Sequence, residues 1–167
     1  ALDAAEAVVP RQRARDGGRE PKHRWSNVFA DACAQMVADA VRRHPRLRKY
    51  EIRPKADGSG KEARRFLAAG KEKQVDVIVA TLASGLQMGF SLKGLNFVGP
   101  GGNYDHNLTG RTYELQDEVG AIHEYQAAAF VVALYFLPLL SAGDKANAPS
   151  SFARTVAHLR ARNGRLD

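Results

Sequence analysis

Two charges stand in runs that otherwise read as buried strands: Asp76 in "QVDVIVA" and Lys93 in "GFSLKGL". Removing a charge from water is costly unless a partner or a function offsets it. Side chains alternate along a strand, so Asp76 shares a face with Ile78 and Ala80, while Ser91 and Lys93 share one with Gly89. A two- or four-residue loop centred on Ala83-Ser84 sets Asp76 opposite Ser91 and diagonal to Lys93. A loop one residue longer puts them on opposite faces and removes the site. An aspartate and a lysine held together at the end of such a hairpin can divide the labour of phosphodiester hydrolysis. The carboxylate holds Mg²⁺, which commonly takes only one or two carboxylates and keeps positions for water and phosphate. The ammonium orients the attacking water and offsets charge growing on the phosphorus centre. Leu92, between Ser91 and Lys93, can add its backbone carbonyl as a metal ligand.

The elements that would position these groups follow from the hydrophobic pattern. "SNVFADACAQMVADAVRRH" predicts an amphipathic helix capped by Ser26, with Phe29, Cys33, Met36, Val37, Ala40 and Val41 on one stripe and Arg42, Arg43 and His44 in its last turn. Residues 47–54 read as a strand, residues 61–69 ("KEARRFLAA") as a short helix, and 75–97 as the hairpin above. "GPGGN" at 99–103 is loop chemistry. A helix is expected from Leu108 to Tyr125, with Leu115, Val119 and Ile122 on its inner face. Then come a strand buried on both faces within residues 127–140 and a last helix over 150–162, turning Phe152, Val156 and Leu159 inward. Residues 10–24 hold six arginines and lysines, two glycines and two prolines without apolar periodicity, and read as a basic, partly irregular arm over 1–24.

Composition bounds the rest. The 167 residues suit a single domain with its own core, and 44% apolar against 26% charged is ordinary for a globular protein. The formal charge of +7 points to a polyanionic partner, nucleic acid first and an anionic membrane second. A single cysteine, Cys33, excludes an internal disulfide and fits a reducing compartment. The start carries neither a basic n-region nor a long apolar core, and the longest apolar run is interrupted by Pro138, so a cytoplasmic protein that does not enter the membrane is expected.

The order helix, strand, strand, strand, helix, strand, together with Asp76 and Lys93, resembles the PD-(D/E)xK nuclease superfamily, typified by restriction endonucleases. The likeness covers roughly residues 26–140. "GFSLKGLNF" followed by "NYDHNLTGRTYELQDEVGAIHEYQ" is also similar to restriction-type enzymes. The resemblance implies an α/β fold with a restriction-endonuclease-like αβββαβ core, a mixed β-sheet flanked by helices. It implies Mg²⁺, with Mn²⁺ as a substitute, and DNA as substrate, with RNA as the alternative. It further implies a restriction or phage-defence role and a homodimer or a part in a larger complex.

One position departs from that pattern. Ser91 stands where the acid of acid-x-Lys belongs, leaving the site one carboxylate short. Some enzymes of the superfamily supply the missing acid from the following helix, and here that helix carries Glu114 and Glu118, one turn apart. Either completes the metal set, with Asp31 a distant third. If neither does, the chain is a catalytically inactive nuclease-fold module that binds nucleic acid. Asn103, Tyr104, His106, Asn107, Thr109 and Arg111, in and beside the glycine-rich loop, can donate to phosphates or base edges. His123 and Tyr125 read as helix packing.

Overall fold

The computed structural model describes residues 1–60, 63–66, 72–145 and 148–162. In chain order these form α1 (Leu2–Val8), α2 (Arg11–Asp16), α3 (Arg19–Arg43), β1 (Glu51–Arg53), β2 (Ala63–Phe66), β3 (Glu72–Val75), β4 (Val77–Thr81), β5 (Gly85–Gly94), α4 (Leu108–Tyr125), β6 (Phe130–Phe136) and α5 (Ser151–Arg162). The protein is α/β, with a mixed four-stranded sheet in the order β1-β4-β5-β6 flanked by helices and a separate two-stranded sheet of β2 and β3. The chain divides into two compact units, residues 1–92 with 121–134 and residues 93–120 with 135–167.

In the first unit α1 and α2 pack on α3. Ala5 and Ala14, both without exposed surface, let the helices approach closely. Trp25 is 1% exposed and stacks on Phe29, ring centroids 5.0 Å apart, with the Arg11 guanidinium 5.6 Å over its ring. The expected irregular arm is therefore helical: its contacts run through isolated alanines, which leave no apolar periodicity to read. Gly18, at φ +83°, turns the chain into α3, and Pro21 fits the first turn, where its missing N–H costs nothing. Ser26 is consequently an interior residue and not a cap. The buried positions are Trp25, Cys33, Ala34 and Ala38, so the stripe is rotated from the expected one and Met36 is exposed. Arg42 donates to the Pro54 carbonyl (2.8 Å) and Gln35 to that of Lys55 (3.0 Å), tying α3 to the segment after β1.

The short helix expected over 61–69 is corrected where it is described: Ala63–Phe66 is β2, paired antiparallel with β3 through Ala63↔Val75 and Phe66↔Glu72. Local helix propensity in "ARRF" yields to cross-strand pairing. The hairpin's last residue, Val75, joins Ile78, Leu86, Ile122 and Ala129 in one apolar cluster. β6 is shorter than expected and is not buried on both faces. It lies at the sheet edge, with Phe130 exposed and the rest half-buried.

In the second unit α4 keeps the bounds expected for it, and Leu108, Thr112, Leu115 and Val119 form its buried face. α5 opens on Ser151, fully buried, but turns Ser151 and Thr155 inward and leaves Phe152 exposed. Among the described residues no helix is long and apolar enough to cross a membrane.

Candidate functional site

Asp76 is not inside a strand. It is a half-buried bend residue joining β3 to β4, and its position is set by the hairpin that follows. The turn, Leu82-Ala83-Ser84, has three residues, the odd length that would throw Asp76 onto the wrong face. A β-bulge cancels the error. Ala80 pairs with Leu86 but Val79 with Met88, so Gln87 is the extra residue and Val77 returns to Phe90. The Gln87 amide folds back on the turn, donating to the Ser84 carbonyl (3.2 Å) and hydroxyl (3.1 Å). With register restored, Asp76 Oδ2 accepts the backbone N–H of Leu92 at 2.7 Å. Ser91, 2% exposed, and Leu92, 8% exposed, are both buried in β5.

The second unit begins at Lys93, itself buried at 6% exposure. Its Nζ donates to Glu118 Oε1 at 2.6 Å, a short charge-assisted bond between side chains that are 7% and 23% exposed. Glu114 is engaged elsewhere, accepting from Arg111 Nη1 at 2.8 Å near the surface. Of the two candidate acids on α4, Glu118 is therefore the one beside the lysine. On the same helix Thr112 Oγ1 donates to the Leu108 carbonyl (2.9 Å) and shares a hydrogen bond with His158 Nε2, 3.0 Å away. Burial, with a smaller contribution from Arg162, lowers the His158 pKa and favours the neutral ring. Tyr135, on β6, was not singled out by sequence. Burial raises the pKa of its hydroxyl, the Thr112 side chain opposes, and the charges of Glu118 and Glu114 add to the rise. Only its place in an apolar strand hinted at it.

The loop candidates separate by exposure. His106, Asn107 and Thr109 are exposed and Asn103 is half-buried, so these remain available to a ligand. Tyr104 is 7% exposed and belongs to the core, a correction to its reading as a nucleic-acid contact. Arg111 is held by Glu114. The segment is rigid because it is fastened to α5: the Ser151 hydroxyl accepts the Tyr104 N–H (3.0 Å) and donates to Asp144, while Arg154 pairs with Asp105. Asp144 has its pKa lowered, chiefly by the Ser151 hydroxyl. This Ser151–Asp105–Asp144–Arg154 cluster escaped sequence reasoning because Asp105 lies 46 residues from Ser151 in the chain.

Asp31 is exposed on α3, and His123, bonded to the Ala129 carbonyl at 3.2 Å, serves helix packing as expected. Tyr125 is exposed. Among the described residues no three His, Cys, Asp or Glu side chains gather as a metal-binding group. Asp76, Glu118 and the Leu92 carbonyl each offer, singly, the hard oxygen that Mg²⁺ takes. Comparison with protein-family models, with curated proteins and with solved structures finds no match to this chain.

Proposed function

We propose that the chain is a Mg²⁺-dependent endonuclease of the restriction-endonuclease-like type, hydrolysing DNA phosphodiester bonds in restriction or phage defence. The observation that carries the reading is the Lys93–Glu118 pair. With Ser91 in the acid position of acid-x-Lys, the following helix must supply a carboxylate, and α4 brings Glu118 to 2.6 Å from the lysine. The order of elements supports it as well: with the β2–β3 hairpin set aside as an insertion, α3, β1, β4, β5, α4 and β6 follow the αβββαβ sequence.

In this reading Mg²⁺, or Mn²⁺ in its place, is the cofactor, Glu118 is the acid that serves Lys93, Asp76 and the Leu92 carbonyl stay candidate ligands, and Glu114 drops out. Bound metal supplies Lewis-acid activation of water and phosphate. Lys93 orients the attacking water and offsets charge on the phosphorus centre. Ser91 packs and takes no part in the chemistry. His106, Asn107 and Thr109 meet the substrate, and a homodimer or larger assembly brings a second site to the other strand.

A second reading, a nucleic-acid-binding module that does not cut, is favoured by Ser91 itself. Plasmid nicking with Mg²⁺ and with EDTA decides between them. The nuclease cuts only with metal; Asp76→Asn and Glu118→Gln each lose about 10²-fold or more, and Glu114→Gln stays within about twofold. DNA binding without metal-dependent cutting selects the module. Full activity in Glu118→Gln overturns the mechanism.

A further inference from the structure

Between Asp39 and Glu51 the chain carries no acid and holds Arg42, Arg43, Arg46, Arg48 and Lys49. The two flanking acids are already engaged. Asp39 pairs with Arg42 at 2.8 Å and Glu51 with Arg53 at 2.6 Å. Arg43, Arg46, Arg48 and Lys49 are all exposed, and among the described residues none of them has an acidic partner. Lys49 lies 5.5 Å over the Tyr50 ring. Cations in a last helical turn are normally explained by the helix dipole. That accounts for Arg43, but Arg46, Arg48 and Lys49 lie beyond the end of α3.

The segment is also held in place. His44 N–H bonds to the Val41 carbonyl (3.0 Å), Leu47 N–H to that of His44 (3.0 Å), and Tyr50 N–H to that of Leu47 (3.1 Å). Arg42 fastens the end of α3 to the Pro54 carbonyl. The four charges therefore project from an ordered turn, which lowers the ordering cost of binding.

We propose that Arg43, Arg46, Arg48 and Lys49 form a binding surface for the phosphate backbone of nucleic acid, separate from the loop and strand residues assigned above. Three of the four are arginines, whose forked donors match phosphate oxygens in pairs. An anionic membrane fits less well: no large apolar residue is exposed between Arg43 and Tyr50 to enter the lipid interface. The surface binds by charge without reading bases, and it does not depend on the chain being a nuclease.

The test is fluorescence anisotropy of a labelled duplex in EDTA across a sodium chloride series, with the full chain and its Arg43→Gln/Arg46→Gln/Arg48→Gln/Lys49→Gln variant. Each lost phosphate contact removes roughly 0.9 from the slope of log K against log salt, so the variant's slope is expected to be shallower by about 3 to 4. Arg46→Glu alone, at an exposed position beyond the helix, should flatten it by about 1 and guards against misfolding of the quadruple variant. Unchanged slopes in both variants overturn the proposal, as does loss of binding to phosphatidylserine vesicles with duplex binding intact. Cutting by the same preparations with Mg²⁺ keeps the two readings apart. Cluster-dependent binding without cutting retains this surface and removes the nuclease, whereas cutting with an untouched slope does the reverse.

Discussion

Ser151 has no exposed surface and one hydroxyl proton, which it gives to Asp144 while accepting the Tyr104 N–H. Alanine at this position leaves the Tyr104 N–H only its longer bond to Asp144 (3.4 Å) and removes one donor from that carboxylate, so Ser151→Ala is expected to cost about 1–3 kcal/mol in urea unfolding. A change below about 0.5 kcal/mol would mean that Asp144 alone fastens the loop to α5. Residues of this kind show how unevenly the site was legible. Asp76 and Lys93 announced themselves because a charge in an apolar run of sequence is conspicuous. Glu114 and Glu118 could not be ranked, since both face one side of α4 and only side-chain packing turns one toward Lys93 and the other toward Arg111. Tyr104 looked like a ligand contact because a tyrosine in a polar loop does not reveal that it is buried.

At the level of elements, the hairpin of β4 and β5 carries one unmatched residue. Deleting Gln87 removes the bulge and makes Ala80–Leu86 and Val79–Met88 successive rungs of one ladder, so Phe90, Leu92 and Lys93 keep their partners and their faces. The deletion is expected to cost about 1–3 kcal/mol through the lost bonds from Gln87 to Ser84, and a far larger loss in chemical denaturation would show that the strand pairing needs the bulge itself. Periodicity identified α4 because it carries a sustained inner face, and it bounded α5 to within a residue while misplacing that helix's inner face. It failed at β2, where four residues of good helix formers are recruited by a partner strand, and in residues 1–24, where alanines make the contacts. A turn length, likewise, says little about register when a bulge downstream can compensate.

Across the whole molecule, several titrating groups tilt stability in one direction. Hydrogen bonds from Ser151 and Ser59 lower the pKa values of Asp144 and Asp57, so their contribution is complete above the ordinary carboxylate range and is lost as pH falls through the folded values. Burial lowers that of His158, so its neutral form is favoured in the fold, and that contribution fades as pH falls through and below about 6.5. The melting temperature should therefore decline in two stages between pH 7 and pH 3, the first in the histidine range and the second in the carboxylate range. A profile that is flat from pH 7 to 5 would remove His158 from this account.

Trp25 is the chain's single tryptophan, sealed where the first three helices meet. Nature has thus placed an optical gauge at the amino-terminal end, within the first compact unit. Its emission will report whether α1 and α2 stay docked, while substitutions at Lys93 or Glu118 should leave its colour unaltered. A truncation that strips the opening segment should shift the emission to the red at once.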